Sequence, residues 1–153
     1  MEQKNSNISR KVFRKHIGEI RELKEFLEKV KSTLNEKLIC SILIGSRVRL
    51  NFNIGSDIDL ILVGNWFNDK LFERINEIKE KLQIPLLPVD YFLYRPTEIL
   101  KFIEQGNPMI LDGFTEGICL FNNKYYQKIR KVIEKQISLG IISKKEKLWK
   151  IHN

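Results

Sequence analysis

At 153 residues, with 42% apolar and 30% charged side chains, the chain has the size and balance of one ordinary globular domain and not of a disordered segment. No apolar run approaches the roughly 20 residues of a membrane span, and the polar residues 1–10 lack the apolar centre of a signal peptide, so a cytoplasmic protein is expected. The formal charge of +8 is concentrated: residues 124–153 hold nine Lys or Arg against Glu134 and Glu146. Such a tail suits a polyanion or an acidic partner, or is simply a solvated helix face.

In chain order, the first element is a helix over residues 8–34, because Phe13, Ile17, Ile20, Leu23, Leu27, Val30 and Leu34 recur at spacings of three and four. An apolar strand over 38–44 ends at Gly45-Ser46. The Asn-rich segment 47–55 reads as a loop or a short helical turn, and a second strand covers 58–63. A helix over 69–82 carries Leu71, Phe72, Ile75, Ile78 and Leu82 on one side. Pro85 and Pro88 confine the next extended stretch, which places a third strand at 89–93. Short helices follow at 97–104, with Thr97 as N-cap, and at 109–114, then a strand at 117–121. The last strong helix runs over 123–139 with Tyr126, Ile129, Ile133 and Ile137 inward, and Gly140 ends it. Residues 141–153 are amphipathic and fit a strand pair, a turn of helix or a frayed tail. This order predicts one α/β domain over 1–153: a small mixed sheet flanked by helices, with its core at about 36–121 and a basic helical extension at about 123–153. Cys40 and Cys119 lie inside apolar strand-like runs and are expected to be buried free thiols. His16 and His152 have no companion at metal-ligand spacing.

The chemistry gathers around Gly45-Ser46, ten further residues, and Asp57-Ile58-Asp59. Aspartate is disfavoured in strands, and period 2 puts both carboxylates on one face. Like charges so close repel, and each raises the other's pKa. A divalent cation removes that cost, and Mg²⁺ prefers hard oxygen ligands. Asp90, inside the run Leu86-Leu87-Pro88-Val89-Asp90-Tyr91-Phe92-Leu93, is the candidate third carboxylate, since a lone buried aspartate is costly. The competing readings are a turn-forming start to the strand for the first pair and an edge-strand carboxylate bonded to a Lys or Arg for Asp90. Gly45 lets backbone approach a phosphate, and the Ser46 hydroxyl can bind its oxygens. Arg47 and Arg49 add charge beside the same turn, to hold a triphosphate or to sit in solvent.

The pattern Gly45-Ser46, ten residues, Asp57-Ile58-Asp59-Leu60, with Asp90 on a later strand, resembles the minimal nucleotidyltransferases of the DNA polymerase β superfamily. The likeness covers residues 38–93 well, and 98–121 looks like the helical region these proteins carry. It implies the polymerase β-like fold and a three-carboxylate site for two Mg²⁺ ions: Asp57 and Asp59 bind both, and Asp90 binds the one beside the acceptor. Gly45, Ser46, Arg47 and Arg49 would hold the phosphates of ATP or another nucleoside triphosphate. Many members continue after Gly-Ser with arginine, a small residue, arginine and glycine, whereas this chain has Arg47-Val48-Arg49-Leu50.

Small proteins of this family are often antitoxins whose partner is a helical HEPN-type toxin, and the family activity there attaches AMP to a toxin tyrosine. An Mg²⁺-dependent adenylyltransferase acting on a protein is therefore the leading expectation. A non-catalytic binding module of the same fold is the alternative. Nucleic-acid binding through the basic C-terminal third ranks last, because its lysines lack regular aromatic interleaving.

Overall fold

The computed structural model describes residues 17–44, 59–82 and 90–152. Helix α1 (Ile17–Thr33) leads into strand β1 (Leu38–Ile44), followed by β2 (Asp59–Gly64), α2 (Leu71–Leu82) and β3 (Asp90–Tyr94). Helices α3 (Pro96–Glu104) and α4 (Pro108–Glu116), strand β4 (Ile118–Phe121), helix α5 (Asn123–Ser138) and strands β5 (Ile142–Lys145) and β6 (Leu148–Ile151) complete the order. The fold is mixed α/β, as the sequence predicts: a four-stranded mixed sheet in the order β3-β2-β1-β4, flanked among the described residues by five helices. β1 is antiparallel to both β2 and β4, whereas β2 and β3 are parallel and joined through α2.

Near-continuous apolar runs form β1 and β2 because both faces of these strands are covered. Leu43, Leu60, Leu62 and Leu93 face α1 and α2, meeting Phe26, Val30, Ile78 and Leu82. Ile42, Ile44, Ile61 and Val63 face the other way, onto Ile99 of α3, Leu111 and Phe114 of α4 and Ile133 of α5. Each fully buried side chain of this kind contributes about 1.5–3 kcal/mol.

Four local expectations change. Thr97 does not cap α3: Pro96 fills the first helical position, Arg95 is the N-cap, and the Glu98 carboxylate accepts the Arg95 N–H at 2.7 Å. On α2, Leu71 and Phe72 are exposed while Arg74 is buried with Ile78 and Leu82, so the inward stripe is 74-78-82. Ile137 continues the inward side of α5 but is 41% exposed, because the last turn has less protein to pack against. The helical extension stops at Ser138, and Gly140 follows the cap at φ +72°, a conformation that suits glycine. The tail beyond is the strand pair β5–β6, turning through Glu146 at φ +60°. Lys144 anchors it to α4 through Asp112 and Glu116, both at 2.7 Å, and the Trp149 indole N–H donates to Asp112 at 2.8 Å. Both cysteines are free; Cys40 is buried and Cys119 half-buried. The bond to Cys119 and burial push the Cys40 thiol well up, which keeps it neutral.

Candidate active site

Of the expected site residues, Asp59 and Asp90 are described; Gly45, Ser46, Arg47, Arg49 and Asp57 lie outside the described residues, as does Leu50. β2 opens on Asp59 and β3 opens on Asp90, and the two residues pair directly in the parallel ladder. Paired residues of neighbouring strands share a face and sit about 4.8 Å apart across the ladder. Their positions alternate with Leu60 and Tyr91, which face α1 and α2, so both carboxylates belong to the face that carries α3, α4 and α5.

Across β2 from Asp90, Asp59 pairs with Ile44, the last residue of β1. Ile44 and Asp59, the described residues on either side of 45–58 in the chain, thus share a single rung of the sheet beside Asp90. Gly113 of α4 supports this rung from below. A Cβ there would stand 3.1 Å from Ile61 Cδ1 and 3.3 Å from Ile44 Cγ2, so the missing side chain lets α4 lie close to the sheet at Ile44, the rung partner of Asp59, and at Ile61, two residues inward of Asp59. The sequence reading passed over Gly113; its position inside an apolar helical run was the available signal.

Asp90 is exposed, which corrects the expectation that it is buried in an apolar run: its place at the strand start leaves it in water. β3 is an edge strand, yet Asp90 has no ion-pair partner among the described residues, so the reading as a carboxylate tied to Lys or Arg does not hold there. Asp59 is half-buried. At the ladder spacing, two ionised carboxylates repel by about 1 kcal/mol in water and about 3 kcal/mol at a protein-surface dielectric. Hard oxygen donors side by side suit a divalent cation such as Mg²⁺, which turns that repulsion into attraction. Among the described residues no three His, Cys, Asp or Glu side chains converge. A separate groove of about 330 Å³ lies between α1 and β4, lined by Leu23, Leu27, Lys31, Ile118 and Phe121; it is on the other sheet face and at the other edge, away from the carboxylates.

The family model of the nucleotidyltransferase domain matches residues 20–112, which run from α1 through both carboxylates to Asp112. The chain belongs to the nucleotidyltransferase domain family. No curated protein sequence matches it. Among solved structures, a Sulfolobus solfataricus protein proposed to be a nucleotidyltransferase is similar in fold, with 20% identity, a TM-score of 0.50, and 71% of this chain covering 84% of that one. Other matches are a toxin–antitoxin structure with AMP-PNP (18% identity, TM-score 0.41, 74% of this chain and 85% of that one) and the toxin–antitoxin MntA-HepT (18%, 0.40, 76% and 83%). In this member of the family, no described helix is long and apolar enough to cross a membrane.

Proposed function

We propose that this protein is an Mg²⁺-dependent nucleotidyltransferase that moves AMP from ATP to a hydroxyl of a partner protein, as the antitoxin facing a HEPN-type toxin in the cytoplasm. The observation that carries the reading is the direct pairing of Asp59 with Asp90 on the rung that also holds Ile44. Family membership supports the transfer of a nucleotide. The Gly45-Ser46…Asp57-Ile58-Asp59 pattern and its resemblance to the minimal nucleotidyltransferases support the finer assignment.

Asp57, Asp59 and Asp90 are the residues to hold the metal. When bound, Mg²⁺ spreads the charge of the reacting phosphates and lowers the pKa of the attacking hydroxyl. Gly45 and Ser46 bind phosphate oxygens through backbone N–H and hydroxyl groups, and Arg47 and Arg49 neutralise the triphosphate. The acceptor oxygen forms a bond to the α-phosphorus as the bond to the bridging oxygen breaks and pyrophosphate leaves. Asp90, exposed at the strand start, takes the hydroxyl proton. The single domain has its core at about 36–121, and 123–153 is the basic extension.

Incubating the protein with α-labelled ATP, Mg²⁺ and the product of the neighbouring gene tests this. Label is expected on the partner, and Asp59→Ala or Asp90→Ala should cut the rate by roughly 10²–10³-fold, the scale of losing one charge-stabilising group. A second reading, a binding module of the same fold, is favoured by Leu50 standing where many members have glycine. It predicts a stable complex without label, and that outcome would replace the enzymatic reading.

A further inference from the structure

The basic excess of the C-terminal third is organised. Lys124, Lys128, Lys131 and Lys135 are all exposed on α5, and their spacings of four, three and four place them within an arc of about 60° over roughly 16 Å of helix. Among the described residues none of the four has a salt-bridge partner. The acid of the same helix, Glu134, stands outside the arc and is held by Arg130 at 3.2 Å. Lys145, Lys147 and Lys150 of the hairpin are exposed as well and add to the positive field.

We propose that the solvent face of α5 binds the sugar–phosphate backbone of duplex DNA. A duplex presents one negative charge per about 1.7 Å, so roughly ten phosphates lie along the length of this stripe. Four ammonium groups in a straight row, without ion-pair partners among the described residues, are the complement of that line of charge. The aromatic side chains of the region rule for a duplex over a single strand. Tyr126 is buried and stacks on Phe114, Tyr125 packs edge-on to the same ring, and Trp149 is bonded to Asp112. Among the described residues of this region no aromatic ring is fully exposed to stack on an unpaired base, as single-strand binding requires. An acidic protein partner fits less well, because the arc contains no apolar side chain to form the dry centre of a protein interface. The proposal stands apart from the transfer reaction: Asp59→Ala should leave DNA binding unchanged.

The test is fluorescence anisotropy of a labelled 20-base-pair duplex of arbitrary sequence with the full chain, from 50 to 200 mM NaCl. Four phosphate contacts give a log–log slope of about −3.6, a loss of roughly 150-fold over that range. Lys128→Gln with Lys131→Gln should reduce the slope by about 1.8, and the four-lysine Gln variant should abolish binding, with circular dichroism unchanged. If the larger variant fails to fold, the double variant decides. The proposal is overturned by absence of binding at 50 mM, by a slope the variants leave unchanged, by tighter binding of single-stranded DNA or duplex RNA, or by equal competition from polyglutamate of matched charge.

Discussion

The two ends of the central sheet handle charge in opposite ways. At the end where β2 and β3 begin, Asp59 and Asp90 bring like charges onto one rung. At the end where they finish, unlike charges interlock. Buried Arg74 donates to the Leu93 carbonyl at 2.7 Å, to the Asn68 carbonyl at 2.6 Å and to Glu98 at 2.7 and 3.1 Å. Arg95 reaches the carbonyls of Trp66, Phe67 and Asn68 and pairs with Asp69 at 2.8 Å. Lys37 pairs with Glu77, which also accepts the N–H groups of Phe67 and Asn68. One end is built to hold the strands in place, and the other sets two acidic residues side by side.

Substitutions should separate these roles. The largest effect on activity is at the acidic end: Asp90→Asn should lower label transfer by roughly 10²-fold or more, yet leave Tm unchanged or slightly raised, since it removes a repulsion. A large drop in Tm would mean that Asp90 is structural. The largest effect on stability is at the other end. Arg74→Ala takes the guanidinium away from the Glu98 carboxylate and two carbonyls and should cost about 3–5 kcal/mol in urea unfolding. Between the two, Gly113→Val should cost about 1–3 kcal/mol by overpacking Ile44 and Ile61, with activity falling as α4 is pushed off the rung.

The smallest effect is on pH dependence. Burial disfavours the charged form of Glu77, but the bond from Lys37 and the N–H groups of Asn68 and Phe67 outweigh it and hold the pKa at about 2 against an ordinary 4.5. A carboxylate depressed on folding stabilises the protein above its unfolded pKa, so that contribution is complete above about pH 4.5 and fades as pH falls towards 2. Glu77→Gln should flatten this limb of a stability-versus-pH curve while leaving transfer at neutral pH intact. An unaltered acid limb would detach Glu77 from the locked end.

The acidic end was legible where the interlocked end was not. Asp59 and Asp90 each break an apolar run, and a charge placed against strand propensity is visible in one dimension. Their direct pairing was not, because register depends on a crossover that spacing cannot specify. Arg74 was hidden for the opposite reason. It occupies an inward helical position beside two apolar neighbours, Leu71 and Phe72, that turn out to face solvent. The Leu93 carbonyl and the Glu98 carboxylate, remote in sequence, together with the Asn68 carbonyl six residues back, explain a buried guanidinium. The hairpin escaped a single assignment because its turn uses Glu146 at positive φ, where glycine or asparagine would have marked it.

The parallel pairing of β2 with β3 also bears on when the protein becomes competent. Asp90 is made 31 residues after Asp59, and the two meet only once α2 has formed and the later strand has docked. A nascent chain whose third strand is still inside the ribosome has one half of the acidic rung and nothing opposite it. On the proposed metal role of these residues, cation binding should therefore switch on late in synthesis and in one step, with release of the third strand, and not build up as the chain emerges.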